Sequence, residues 1–434
     1  MTRERTTPGV SETVGVSTYD VVVVGAGLAG LFAGALAASR GARTLVVARG
    51  LGGTHLGPGT VDVWGYAPHP PSRQARLVSD PEAALRKRRA KHHPLRLAGT
   101  EALREALDEF KTICETAGYP LVGALHENFF LPTALGAVRP TCLAPQSFQA
   151  GDVRQPGELT LARLPGFRDF FADLAAANLN AAGYEARAIS LDLPRAPARR
   201  DAFSTDLARL FDDSNYRAEV AHRWRAPLKG VTRLGLPAIL GLTHAAAARR
   251  DLADRLGVEI FEIPILPPSV PGMRLFDVLR TTTEAAGGRV TLGPSVTGWV
   301  NDGRALGVIA ETAGGPRKYA ARAIILATGG FRHGGLDSPA RGQVRESVFG
   351  LPVVTGKKWF APFYWQAQPY TRFGVRVNER MQPVDAKGHV IYPNVFAVGG
   401  VLAGADRNGE GSREGIDLAT AWMAVNGLNG LSRC

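Results

Sequence analysis

The sequence predicts an α/β fold: a doubly wound dinucleotide-binding core with a second α/β domain inserted into it. Three observations predict it. The stretch Tyr19 to Ala48 reads as strand, glycine turn, small-residue helix and second strand, the opening βαβ unit of a parallel sheet. A second alternation of apolar strands and helices fills the middle of the chain, as expected of a separate α/β layer. Two further apolar strands, near Ala323 and Val395, each run into paired glycines.

In the first unit, Asp20 precedes the uncharged run Val21–Ala38, which just reaches the length of a membrane span. Four valines suit a buried parallel strand, whereas Gly25, Gly27, Gly30 and Gly34 would weaken one continuous helix. The run is therefore read as strand plus helix. Residues 1–18 are polar and read as a disordered leader with no signal-peptide pattern. Residues 51–75 are loop-rich, and a helix is expected over Glu101–Ala117 from apolar positions three and four apart.

The middle alternation comprises strand Leu159–Leu164, helix Arg168–Ala182, strand Ala186–Leu191, helix Ala245–Leu256 and strand Val258–Ile263. It places an inserted domain at 95–265 and the nucleotide-binding domain at 19–94 plus 266–434. Beyond Pro267-Pro268 the sequence predicts helix Gly272–Ala286 and a β-meander through Val290, Val296, Val300 and Leu306–Ile309. Asn301-Asp302-Gly303-Arg304 is a hairpin signal, because Asp-Gly accepts the positive φ angles of tight primed turns. The last helix is expected over Gly415–Val425.

The formal charge of +12 raises encounter rates with anions generally. Its densest cluster, Arg86-Lys87-Arg88-Arg89 with Lys91, His92, His93 and Arg96, lacks the interleaved aromatics that stack on bases, so it reads as a solvated helix face, with an anionic partner or membrane surface as the alternative, and not as a nucleic-acid site. Cys114, Cys142 and Cys434 are far apart and build neither a zinc ribbon nor an iron–sulfur cluster. No metal site is expected, and the sparse cysteines suit a reducing, cytoplasmic compartment.

Gly25-x-Gly27-x-x-Gly30 stands where a helix N-terminus offers free N–H groups to a phosphate. Leu28 and Ala29 complete the turn. A dinucleotide site also wants an acid at the end of the second strand for the adenosine ribose, but Ala48 and Arg49 stand there. Ala327-Thr328-Gly329-Gly330 and Val395 to Gly399-Gly400 permit close approach of backbone to a flat ring. Gly409-Glu410-Gly411-Ser412 precedes a helix whose N-terminus would stabilise negative charge on such a ring.

In this order, these segments resemble the flavoprotein family of succinate dehydrogenase and fumarate reductase, and within it the branch of anaerobic glycerol-3-phosphate dehydrogenase B subunits. The resemblance runs from residue 19 to 426 and is carried further by His55-Leu-Gly-Pro-Gly59-Thr60-Val-Asp62, Leu266 to Arg274-Leu275, Phe349-Gly-Leu351-Pro, Phe373-Gly374-Val375 and Asn394 to Gly404. Arg413 and Glu414 depart from a C-terminal motif that is richer in glycine in that branch.

The resemblance implies a Rossmann-type flavin-binding domain of glutathione-reductase-like architecture. It implies a flavin-dependent oxidoreductase subunit of a quinone-linked complex that oxidises glycerol 3-phosphate to dihydroxyacetone phosphate. Its partners would be a substrate-oxidising flavoprotein subunit and an iron–sulfur subunit, with peripheral association at the inner face of the cell membrane in keeping with the basic surface. A stand-alone FAD-dependent oxidoreductase and a flavin-free structural subunit are the alternatives.

The expected flavin contacts are Gly25, Gly27, Leu28, Ala29, Gly30, Arg49, Gly52, Gly53, Gly59, Thr60, Thr328, Gly329, Gly330, Gly399, Gly400, Gly411 and Ser412. His55, Arg274 and His333 are candidate catalytic residues, and Arg332, Arg372 and Arg407 candidate partners for a phosphate or carboxylate. His55 also stands where covalent members of the wider family attach flavin, although hydrogen-bond donation is the reading taken here. The missing ribose acid and the cationic Arg49 favour FMN, with FAD as the alternative.

Overall fold

A computed structural model of the chain describes residues 15–67, 76–87, 90–194, 202–340, 343–364 and 366–428. Of the expected 1–18 leader, residues 1–14 lie outside the described residues, as do Arg88, Arg89 and Cys434, while Val16 to Thr18, read as leader, instead open the first strand.

The first strand, Val16–Val24, is flanked on one side by Thr44–Ala48 and then Arg289–Leu292, and on the other by Gly315–Leu326, all parallel. Gly315–Leu326 is long enough to serve two further neighbours on its other edge. Its first half pairs antiparallel with Arg304–Thr312, which pairs with Ser295–Asn301, and its last residues pair in parallel with Val395–Ala397. Val21 to Val24 and Leu45 to Val47 are buried, as both faces of a parallel sheet covered by helices require. The run Val21–Ala38 is thus strand and helix, not a span.

Helix Leu28–Ser39 is buried from Leu28 to Ala38. It lies against the sheet and packs on helices Val270–Ala285 and Arg413–Gly427. Small residues permit this crowding: a methyl added at Gly34 would stand 2.4 Å from Val46 Cγ2. Helix Val270–Ala285 starts where Ser269 Oγ accepts the Gly272 N–H at 3.2 Å, with Pro271 in its first turn, an N-cap with its preferred proline.

The second sheet is parallel throughout, in the order Glu259–Ile263, Arg233–Pro237, Leu159–Arg163, Ala186–Ser190. Its apolar cluster gathers residues between Ala150 and Ile265. Helix Pro94–Thr116, by contrast, buries Leu103, Ala106, Leu107 and Phe110 in the first cluster, with Phe110 edge-on to Phe32 at 5.5 Å. Sequence alternation groups this helix with the second body, and packing groups it with the first.

Three element readings change. Arg289–Leu292 is a parallel edge strand delivered by a helix, not the start of the meander. Strand Arg233–Pro237 and helices Ser204–Asp212 and Ser214–Trp224 complete the second body. The 101–117 helix begins at Pro94 and carries a non-helical Gly99 with φ 82°. His93, counted among surface cations, is buried: Nδ1 accepts the Leu95 N–H at 3.2 Å and Nε2 lies 3.0 Å from Glu410 Oε2. The Asn301–Arg304 turn has φ of 46° at Asp302 and 73° at Gly303, as a primed hairpin needs.

Candidate functional site

The carboxyl ends of strands Val16–Val24, Thr44–Ala48 and Gly315–Leu326 open into one cavity of about 560 Å³, within the range typical of small-molecule sites. This is where an open parallel sheet places its ligand. Gly25, with φ 117°, packs so tightly that a methyl there would lie 2.2 Å from the Ala327 carbonyl oxygen, and one at Gly30 would lie 1.9 Å from the Gly25 oxygen. Gly27 is different: it caps helix Leu28–Ser39 in extended geometry, and a methyl there would meet nothing within 4 Å. Gly25 and Gly30 let the turn close, and Gly27 faces open space beside amide groups with no side-chain cap. Backbone and space at this turn therefore suit a phosphate-bearing ligand.

Of the expected residues, Gly25, Gly27, Leu28, Ala29, Arg49, Gly52, Gly53, Gly59, Thr60, Thr328, Gly329 and Gly400 line the cavity, as does His333. Gly30, Gly330 and Gly399 stand behind this lining. A methyl at Gly399 would lie 2.6 Å from Asp417 Oδ1, and one at Gly330 would lie 3.2 Å from the Gly400 oxygen. Gly411 and Ser412 turn away from the cavity. Gly411 packs beside the Tyr66 ring, and the Ser412 hydroxyl donates to Glu410 Oε2 at 3.3 Å. The helix N-terminus is nevertheless at the cavity, through Arg413, Glu414 and Asp417.

The three catalytic candidates part company. Arg274 is buried and holds Glu262 with two bonds, at 2.8 and 3.0 Å, while its Nε donates to the Gly241 carbonyl at 2.8 Å. It ties a first-body helix to the second sheet and does not line the cavity. His55 lies outside the lining, edge-on to Phe276 at 4.5 Å, with Nε2 lacking a hydrogen-bond partner. Burial holds its pKa below the ordinary value. His333 is at the mouth, and partial enclosure, with Arg332, Arg407 and Arg413 nearby, keeps it below its ordinary value and neutral.

Around the floor runs a network of alternating charge. Arg407 Nη2 binds Asp417 Oδ1 and donates to the Arg413 carbonyl at 2.7 Å. Arg413 pairs with Glu414 at 3.1 Å, and Glu414 accepts the Asp62 N–H at 3.4 Å. Asp62 binds Arg139 and accepts the Thr141 hydroxyl at 2.8 Å. Burial pushes Asp417 up to about 6 against the pull of Arg407. Burial likewise raises Asp62, whereas at Glu414 the neighbouring arginines outweigh burial and keep it ionised. Arg372 lies elsewhere, near Glu410 at 3.6 Å and Asp406 at 4.0 Å.

Sequence reading passed over Leu275, Ser295, Val296, Ser347, Val348 and Asp417, all of which line the cavity. These are ordinary residues that only the fold brings to the glycine loop.

Known proteins resemble the chain along most of its length. The FAD binding domain family matches residues 20–414. A probable anaerobic glycerol-3-phosphate dehydrogenase B subunit from Halobacterium salinarum is 33% identical over 93% of this chain and 96% of its own length. The B subunit of the anaerobic glycerol-3-phosphate dehydrogenase of Pectobacterium carotovorum is 32% identical over the same shares. Among solved structures, the open conformation of a flavocytochrome c3 fumarate reductase aligns with 95% of this chain and 78% of that one, at 12% identity and a TM-score of 0.42. By its end-to-end similarity to the two B subunits and its match to the domain family, the chain belongs to the anaerobic glycerol-3-phosphate dehydrogenase B-subunit family of flavin-dependent oxidoreductases.

Proposed function

We propose that this chain is the flavin-carrying subunit of a quinone-linked glycerol-3-phosphate dehydrogenase, relaying electrons from a substrate-oxidising flavoprotein subunit to an iron–sulfur subunit. The observation that carries the reading is the cavity itself. It has a glycine-lined phosphate turn at a helix N-terminus and a cationic rim, in a chain that matches B-subunit relatives along its length. Gly25, Gly27, Leu28, Ala29 and the segments Gly52–Thr60, Thr328–Gly329 and Gly400 would hold the cofactor. When bound, the flavin supplies the two-electron to one-electron exchange that such a relay needs.

The cofactor in this reading is FAD and not FMN. The cavity reaches along the sheet edge to Ala48 and Arg49, where Pro294, Ser295 and Val296 form a wall beside the end of the second strand. That is where a Rossmann site lodges an adenosine half. Ala48 then removes one ribose contact without removing the space. A stand-alone dehydrogenase keeps one candidate base here. Oxidising an alcohol needs a base in reach of its hydroxyl, and of the three candidates only His333 lines the cavity.

Among the described residues no helix is long and apolar enough to cross a membrane, so contact with a quinone pool would be peripheral or through a partner. The test is reconstitution. The isolated chain, carrying FAD identified by mass spectrometry, should reduce no artificial acceptor with glycerol 3-phosphate, and activity should appear on adding the two partner subunits. Full turnover by the isolated chain would favour the stand-alone enzyme. A colourless protein would favour the structural role.

A further inference from the structure

Four large apolar side chains stand exposed beside the cavity: Leu51 at 42%, Leu56 at 60%, Phe203 at 60% and Leu266 at 63%. They come from three segments that direct contacts hold together. The Ser269 N–H donates to the His55 carbonyl at 3.1 Å, and the Ser204 hydroxyl donates to the Pro268 carbonyl at 3.3 Å. A methyl at Gly272 would stand 2.2 Å from the Thr54 oxygen, so the segment after Leu266 is pressed onto the loop that carries Leu51 and Leu56. Each of the four side chains lies next to one of these contacts or within three residues of it, and Leu56 itself lines the cavity. The row crosses from the first body to the second, because Leu266 follows the carboxyl end of strand Glu259–Ile263.

The other side of the mouth carries charge of one sign. Arg49 and Arg332 line the cavity and are exposed. A methyl at Gly334 would stand 3.1 Å from Arg49 Nη2, which brings the Arg49 guanidinium to the loop that bears Arg332. Neither arginine forms an ion pair among the described residues. The nearby acids have arginines of their own: Asp206, on the helix that follows Phe203, binds Arg209 at 3.0 Å, and Asp277, which faces His55, binds Arg280 at 3.2 Å. An apolar row with uncompensated positive charge at its edge has the make-up of a protein contact, an apolar centre with a polar rim, whereas ordinary surface exposes its apolar residues singly.

We propose that this face is the docking surface for the iron–sulfur subunit of the complex, which would meet it with apolar side chains inside a rim of carboxylates. Charge complementarity selects this occupant: a cluster is held by cysteine thiolates, and the negative charge they bring to the contact matches the unpaired Arg49 and Arg332. Docking here sets the partner directly over the cavity mouth. The identity of the partner rests on the flavin-relay reading, while the face itself follows from the contacts above.

The test is titration calorimetry of the purified full-length chain with the iron–sulfur subunit and, separately, with the substrate-oxidising flavoprotein subunit, recording flavin absorbance on the same preparations. The iron–sulfur subunit should bind, and its affinity should fall as salt rises. Leu266→Ser and Phe203→Ser, both outside the cavity lining, should each weaken that binding by roughly ten- to a hundredfold, the effect of withdrawing one large apolar side chain from a contact. Both positions are exposed, so thermal midpoint and flavin content should match the parent. Leu135→Ser, at an apolar position 57% exposed on the hairpin between Pro132 and Val138, should bind like the parent. No binding of the iron–sulfur subunit, binding indifferent to the Phe203 and Leu266 variants, an equal loss in Leu135→Ser, or use of this face by the flavoprotein subunit instead would overturn the proposal. A colourless chain that still binds through Phe203 and Leu266 would count against the cofactor reading alone.

Discussion

Gly27 and Gly30 stand three residues apart in one motif, yet the structure assigns them opposite duties, and a pair of substitutions separates them. A Cβ at Gly27 meets no protein atom within 4 Å and its φ of −75° suits any residue, so Gly27→Val should fold like the parent. What it fills is the space beside the helix N-terminus. Hydrogen bonds to a charged group contribute about 1.5–3 kcal/mol each, so displacing one phosphate contact should weaken flavin binding by roughly ten- to a hundredfold. A methyl at Gly30 stands 1.9 Å from the Gly25 oxygen and 2.9 Å from its carbon. Backbone must move, at a cost of about 1–3 kcal/mol or more, so Gly30→Ala should lower the thermal midpoint before any ligand is considered. Flavin content after purification, titration of the apoprotein with FAD, and thermal unfolding by circular dichroism provide the comparison. A Gly27→Val protein with parental flavin affinity, or a Gly30→Ala protein with parental stability, would refute this division.

Two further predictions concern buried charge. Arg274→Met strands Glu262, whose remaining partners are the Ser147 hydroxyl at 2.8 Å and the Leu240 N–H at 2.8 Å. It should cost about 3–5 kcal/mol in unfolding free energy, while flavin content below the melting transition stays at the parental level; catalysis lost without destabilisation would contradict a structural role. At Asp417, folding raises the pKa from the usual range near 4 to about 6. The folded state therefore holds a proton that the unfolded chain has released. Stability should fall as pH rises across that window, by on the order of 2 kcal/mol, and level off above it. Asp417→Asn should remove that slope in pH-dependent denaturation, and an unchanged slope would place the titration elsewhere.

Much of the core was legible because its signals are local. The glycine turn declares itself by spacing, the Asp302-Gly303 hairpin by residue type, and the buried valines by an uninterrupted apolar run. The site was legible only in part. Gly411 and Ser412 were expected at the ligand because they precede a helix, but that helix aims its first turn at the cavity through Arg413, Glu414 and Asp417. Arg274 looked like a chemical residue because it stands next to an expected flavin loop. Its partner, Glu262, lies in the other body, and no local pattern announces it.

The sequence by itself determined the βαβ entry, the glycine turn and the absence of the ribose acid, since each depends on backbone preferences and side-chain size within a few neighbouring residues. Only the tertiary structure decided the rest. It placed Ser295 and Val296 beside Ala48, sent helix Pro94–Thr116 to the first core, and packed Gly404 between the His92 and Arg372 carbonyls. These pairings join residues tens to hundreds of positions apart, and their physical cause is the sheet, whose strand order brings distant segments to one edge whatever their separation along the chain.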